Sequence, residues 1–265
     1  MKVSIPKIIH YCWFGGGKKP ELALKCIESW KKFCPDYQII EWNESNFNIN
    51  YCDYTREAYQ TKKWAFVSDV ARLYALVSCG GIYMDTDVEV VKPLDIFLNN
   101  KAFSGFESDA SVSTCIMGSV KGQGLFAEFL SDYENKRFIS KDNAYDLTTN
   151  VVRITNICLK YGLVCNNRLQ TINGFTLYPK DYFCPKDYET KVLNITENTH
   201  TIHHFDGSWI APEDKLRDAY FLKLKKWLPK KLAIRLSIFF AIKKTKGMKA
   251  ALKKCFKHFR KGNKP

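Results

Sequence analysis

The sequence has no apolar run of the ~18 residues that a membrane-spanning helix requires. The longest candidate, LAIRLSIFFAI at 232–242, is short and interrupted by Arg235. There is no CxxC pair: the ten cysteines stand singly, several in apolar periodic segments where a free thiol behaves as a small hydrophobe. The opening MKVSIPKIIHYCWF lacks an apolar stretch ending in a small-residue cleavage site, so no signal peptide is expected. Reduced thiols and a cytoplasmic address follow as expectations, and the Asn194-Ile195-Thr196 sequon is expected to carry no glycan. No repeat or low-complexity linker precedes the C-terminal tail.

Acidic residues are also missing from one region. From Ala219 to Pro265 there are sixteen Lys/Arg and no Asp/Glu, which leaves 25 of the 41 basic residues against all 27 acidic ones in the body. The formal charge of +14 therefore belongs to the tail, and a nearly neutral body offers no nucleic-acid groove. With 46% hydrophobic and 14% aromatic residues, global disorder is excluded and a sizeable core is expected. The expected division is 1–218 as a catalytic-type α/β domain and 219–265 as a basic helical appendage.

Residues 6–14 read as a strand closed by Gly15-Gly16-Gly17. Pro20 opens a helix striped by Leu22, Cys26, Trp30 and Phe33, and YQIIEW (37–42) reads as the next strand. This is a βαβ unit, so an α/β fold with a mainly parallel central sheet is expected. A second helix is expected over 55–79, with Phe66, Val70, Leu73 and Val77 facing the core and Gly80-Gly81 ending it. Further strands are expected at 102–107, 113–120, 176–184 and 199–205, with helices at 124–134, 143–162 and 212–227.

The informative stretch is CGGIYMDTDVEVVKPL (79–94). Read as one strand, it puts Tyr83, Asp85, Asp87 and Glu89 on one face, with the two aspartates roughly 6.6 Å apart along the chain. Unpaired, they would repel and raise each other's pKa, and a hard divalent cation would remove that cost. A lone DxD is more often a pair of exposed edge charges. An EF-hand loop is excluded, because Val90 stands where it needs Gly and Ile96 where it needs Glu.

Three blocks in order carry a resemblance: IPKIIHYCWFGG (5–16), FVSDVARLYALVSCGGIYMDTDV (66–88) and HHFDGSW (203–209). Together the chain resembles glycosyltransferase family 32, with its DxD sugar-binding block, and is similar to the glucosylating domains of large clostridial toxins. The resemblance implies a GT-A type nucleotide-binding fold, Rossmann-like, and a retaining, Mn²⁺- or Mg²⁺-dependent sugar transfer. Its donor would be a nucleotide sugar, UDP-hexose being favoured, and its acceptor a polysaccharide or lipid-linked oligosaccharide in surface glycan synthesis. It further implies that Trp13 stacks on the donor's base and that Tyr11 is a donor-binding residue. Asp69 and Arg72 would bind donor sugar and phosphate, with Tyr83 nearby. Asp87 would ligate the metal directly, and Asp85 would touch ribose or sugar and the metal through water. His204 is the expected third metal ligand, with His203 and Ser208 as alternatives, and Ser208 and Trp209 would face the donor phosphates. Arg72, Asp85 and Asp87 are thus the candidate catalytic residues, and Glu107 is a weaker candidate for an acceptor contact. The basic, aromatic tail is expected to dock on an anionic membrane surface, placing the chain at the inner face of the cell membrane.

Overall fold

Along the first strand Ile9 and Tyr11 alternate with His10 and Cys12, and both sets are buried, as a strand covered on two faces requires. This strand, β1 (Ile8–Cys12), is joined through helix α1 (Glu21–Phe33) to the parallel strand β2 (Gln38–Trp42), the expected βαβ unit. The computed structural model describes residues 4–207 and 212–253. It separates into two compact units, Met1–Asp206 and Gly207–Pro265.

The helix expected over 55–79 is two helices, α2 (Asp53–Gln60) and α3 (Trp64–Cys79). The break lies at Lys62, whose φ of 59° is left-handed and cannot continue a helix. Phe66, Val70 and Leu73 of α3 are buried as expected. After α3 the chain runs through β3 (Gly81–Met84), β4 (Val88–Val90), β5 (Ala102–Ser108), β6 (Ser111–Val112) and β7 (Ile116–Ser119). Helices α4 (Gly124–Ser131) and α5 (Asn150–Lys160) follow, then β8 (Gln170–Ile172), β9 (Phe175–Tyr178) and β10 (Thr201–His203). Helix α5 starts at Asn150 rather than 143, because Thr149 caps it by accepting from the Val152 N–H.

The main sheet has the order β2-β1-β3-β7-β5-β9-β8, with β6 beside β5. β1 is parallel to β2 and β3, β7 is antiparallel to β3 and β5, and β9 is parallel to β5. β1, β2, β3, β5 and β9 therefore share one direction, and β6, β7 and β8 oppose it. The result is a mixed α/β fold in which five of these strands run one way, with β7 inserted antiparallel between β3 and β5. Its faces bury separate apolar clusters: α3, Tyr83 and Met117 lie on one, and α1, Ile82 and Ile116 on the other.

The glycine pair before β3 has a specific partner. Gly81 sits at φ 115°, and a Cβ there would lie 2.7 Å from the Ile8 carbonyl and 2.8 Å from His10 Nε2. His10 donates from Nε2 to the Gly80 carbonyl at 2.8 Å and accepts at Nδ1 from the Trp42 indole at 3.1 Å. One neutral imidazole thus locks β1, β2 and the glycine turn. Burial lowers its pKa, which keeps it neutral.

In the second unit, helices α6 (Pro212–Leu224) and α7 (Lys230–Lys246) form a pair, with Tyr220 and Phe240 rings 5.6 Å apart. Ala233, Ser237 and Ala241 are buried, while Trp227 is 86% exposed and Leu232 and Ile234 are also exposed. No helix of the described residues is long and apolar enough to cross a membrane.

Candidate functional site

The stretch 79–94 is not one strand. β3 ends at Met84, Asp85 to Asp87 form a turn closed by Val88 N–H to Asp85 O at 3.0 Å, and β4 leaves to pair antiparallel with β10. Alternation along a continuous strand therefore does not order these carboxylates. A switch from one sheet to another does, and it brings them to His203 at the end of β10. One donor atom each from Asp85, Asp87 and His203 lie within 4.8 Å of one another.

Helix α3 supplies the counter-charge. Arg72 is 6% exposed, with Nη2 3.1 Å from Asp69 Oδ1 and Nη1 3.2 Å from Asp85 Oδ1. Nη1 also donates to the Thr114 carbonyl at 2.9 Å, and the guanidinium lies 4.5 Å from the Tyr83 ring centre. The Asp69–Arg72 pair is thus a buried junction and not a solvated i,i+3 pair. Burial raises the Asp69 carboxyl to about 6 despite Arg72. Burial also raises Asp85, again against the pull of Arg72. Tyr83 donates to Asp85 Oδ1 at 2.9 Å, so both neighbours of Asp85 use the same oxygen.

Asp87 is held differently. Its Oδ2 accepts the Asp206 N–H at 2.8 Å, and its Oδ1 lies 3.4 Å from His203 Nε2. Burial works to raise its pKa, but His203 and the backbone donor outweigh it and the net shift is downward. The two aspartates are therefore inequivalent, one favouring and one resisting protonation.

His203, not His204, is the histidine brought to the pair. His204 points Nε2 at Glu89, 2.8 Å away, and Glu89 also meets Lys25 at 3.1 Å. The alternation of β10 and its flank explains the exchange, since successive side chains leave a strand on opposite faces. The remaining possibility, Ser208, and the expected donor contact Trp209 lie outside the described residues.

Two carboxylates and an imidazole suit a divalent cation of the Mn²⁺ or Mg²⁺ type. These residues fit one: Asp85 turns a single oxygen to Arg72 and Tyr83, and His203 turns Nε2 toward Asp87 Oδ1 at 3.4 Å. Asp85, Asp87 and His203 would hold it.

Trp13 and Tyr11 stand at the C-terminal end of β1, where doubly wound sheets place ligands. Trp13 is partly buried and donates its indole N–H to Gly17 O at 2.6 Å, and Lys19 Nζ lies 5.7 Å from both rings. Tyr11 is buried, edge-on to Trp30, and donates its hydroxyl to Glu41. Glu107 is the next-to-last residue of β5, at the point where the register with β6 shifts. Burial raises it, with His203, Asp85 and Asp87 as its charged neighbours. Sequence reasoning missed Thr114, whose carbonyl anchors Arg72. It carries no signal, because only the backbone is used.

Residues 20–104 match the family model described as a glycosyltransferase sugar-binding region containing a DXD motif. Inositol phosphoceramide mannosyltransferase 3 of Schizosaccharomyces pombe is 33% identical over 127 residues, covering 45% of this chain and 34% of that protein. Mannosyl phosphorylinositol ceramide synthase CSH1 of Saccharomyces cerevisiae is 27% identical over 135 residues, covering 49% and 36%. The chain spans about a third of the length of these curated relatives. Among solved structures, the PaToxG glycosyltransferase aligns at a TM-score of 0.44 and 18% identity, over 60% of this chain and 69% of that one. The glycosyltransferase domain of the YGT toxin aligns at 0.41 and 12%, over 92% and 91%.

Proposed function

We propose that this chain, a member of the DXD-containing glycosyltransferase sugar-binding family through residues 20–104, transfers a hexose from a nucleotide-sugar donor with retention of configuration. The observation that carries the reading is the grouping of Asp85, Asp87 and His203 around one point beside the buried Arg72. A cation bound there would neutralise charge growing on the departing diphosphate. The chain's own residues set the stage for that. Arg72 is a fixed cation whose geometry is held by Asp69, Asp85 and the Thr114 carbonyl, so no reorganisation is needed when a phosphate approaches. Tyr83 fixes the rotamer of Asp85, and the Asp206 N–H fixes that of Asp87. Asp69, at the buried end of the junction, is the group placed to accept from donor-sugar hydroxyls. Trp13 offers a ring for the base, an interaction worth about 1–3 kcal/mol by stacking. No general base is assigned, since a departing phosphate can take the acceptor's proton.

One matched relative is named an inositol phosphoceramide mannosyltransferase and another a mannosyl phosphorylinositol ceramide synthase, which favours a lipid-linked acceptor and adds mannose to UDP-hexose among donor sugars to test. The second unit supports the same reading: α7 carries Lys230 and Lys231 at its start and Lys243 and Lys244 near its end, with Trp227 exposed just before it and Leu232 and Ile234 exposed in its first turns. Such a surface suits an anionic leaflet, each cation near it contributing about 1 kcal/mol. Docking at the inner face of a membrane, in the making of a surface glycan, is the corresponding setting.

The test is donor hydrolysis with Mn²⁺ in a panel of UDP-Glc, UDP-Gal, UDP-GlcNAc and GDP-Man. One donor is expected to turn over and to lose at least about 100-fold in Asp87→Ala, the scale of removing preorganised charge stabilisation. Unchanged turnover in Asp87→Ala would reject the site.

A further inference from the structure

His203 belongs to two clusters. Besides Asp85 and Asp87, one donor atom each from Cys115, Cys184 and His203 lie within 4.8 Å of one another. Cys115 immediately precedes β7, and Cys184 follows the short 3-10 turn Lys180–Tyr182. Both are 1% exposed, and their sulfurs are 3.3 Å apart. Ser113 Oγ lies 3.1 Å from Cys115 Sγ and 3.3 Å from Cys184 Sγ. Three further contacts hold the cluster: Thr201 Oγ1 donates to Phe183 O at 2.9 Å, the His200 N–H to Tyr182 O at 2.8 Å, and the Asp85 N–H to Cys115 O at 2.8 Å. Segments nearly seventy residues apart are thus built around one imidazole.

The donors are soft where the DxD pair is hard. Two thiolates and a neutral imidazole carry a net charge of −2, which cancels a divalent cation in a place where an unbalanced charge would be costly. Zinc binds sulfur at about 2.3 Å and imidazole nitrogen at about 2.0–2.1 Å, so two sulfurs on a tetrahedral zinc sit about 3.8 Å apart. The present sulfur–sulfur contact need open by only about 0.5 Å to meet that spacing. His203 Nδ1 is buried with no hydrogen-bond partner among the described residues, and the imidazole lies close enough to the Cys115 thiol for the two to influence each other's protonation. Cys26, Cys34 and Cys158, buried elsewhere, belong to no such group among the described residues.

We propose that Cys115, Cys184 and His203 form a binding site for one thiophilic divalent cation of the zinc type, sharing its histidine with the carboxylate pair. On binding, the two thiol protons leave to solvent and two sulfur–metal bonds form. Because His203 serves both clusters, an occupant on the sulfur side draws the imidazole away from Asp87. Zinc is therefore an inhibitor of the transfer proposed above; this consequence rests on that reading, whereas the binding itself does not.

The test is Co²⁺ titration of the full-length, reduced, chelator-treated protein, followed by ultraviolet and visible absorption. The expected result is a thiolate-to-cobalt charge-transfer band that saturates at one equivalent and is displaced by Zn²⁺. The band should be lost in Cys115→Ser and in Cys184→Ser and retained in Asp87→Asn. Absence of the band in the wild type overturns the proposal without reference to any variant's folding, and so does a band that survives both cysteine substitutions. A thiol count two short in the unreduced protein also overturns it, since the pair would then be a disulfide. If a donor is turned over, Cys184→Ser should raise the inhibitory Zn²⁺ concentration more than tenfold. Cobalt binding without any turnover would retain the site and reject only the transferase reading.

Discussion

Replacing Arg72 with Met leaves the buried Asp69 and the half-buried Asp85 facing an apolar side chain where a cation stood 3.1 and 3.2 Å away. Removing one partner of a buried pair costs about 3–5 kcal/mol. In a folded unit of this size that corresponds to a fall in Tm of about 6–20 °C. The loss is pH-dependent, with a definite sign. Asp69 already titrates at about 6 in the native protein against 3.8 ordinarily, through burial. Without Arg72 its native pKa rises further, and a carboxyl whose native pKa lies above its unfolded one stabilises below the unfolded value and loses that contribution as pH rises. The deficit of Arg72→Met relative to wild type is therefore smallest near pH 4 and grows toward pH 8. Urea unfolding at several pH values, with a chelator present, measures it. Converting Asp69 and Asp85 to Asn in the Arg72→Met background should recover part of the loss at pH 8. A deficit under about 1 kcal/mol, the scale of exposed pairs, or one that shrinks with rising pH, would refute the buried junction.

Three further outcomes are expected. The His10 component of stability, read as the difference between wild type and His10→Phe, should fall as pH drops below 6.5, because burial holds native His10 neutral while the unfolded chain takes up a proton, the slope from this group staying within about 1.4 kcal/mol per pH unit. His10→Phe should remove that component and cost about 2–6 kcal/mol in urea unfolding, since the Trp42 N–H and Gly80 carbonyl each lose a buried partner. Gly81→Ala should destabilise by more than about 2 kcal/mol through its contacts with Ile8 O and His10, whereas Gly124→Ala, whose added Cβ meets nothing within 4 Å, should be neutral or mildly stabilising. Full-length protein should co-sediment with anionic vesicles, and both Trp227→Ser and reversal of Lys230, Lys231, Lys243 and Lys244 to Glu should weaken that at least tenfold; undiminished binding would reject the second unit as a docking surface.

Much of this was legible because local rules act over a few residues. Apolar runs bounded by glycine or proline marked β1 and β2, the Trp30 stripe marked α1, and the Gly-Gly stop marked the end of α3. Where those rules met a tertiary demand they failed. The left-handed Lys62 splits the helix expected over 55–79, and the turn at Asp85–Asp87 hands the chain from the main sheet to β10. Neither event leaves a Gly or Pro at the break.

For the candidate site, sequence alone settled which residue types would meet: an acidic pair after a glycine stop, an Asp and an Arg one helical turn apart, and a late histidine. The acidic pair and the Asp–Arg spacing follow from covalent order and short-range periodicity, whereas the late histidine and the roles of all these residues rest on the resemblance carried by the three blocks. Only the tertiary structure decided that His203 and not His204 joins the pair, that Asp69 and Arg72 are buried, and that Cys115 and Cys184 close on the same imidazole. Those outcomes depend on which face each strand presents after crossing between two sheets, and side-chain direction there is set by long-range pairing rather than by neighbours in the chain.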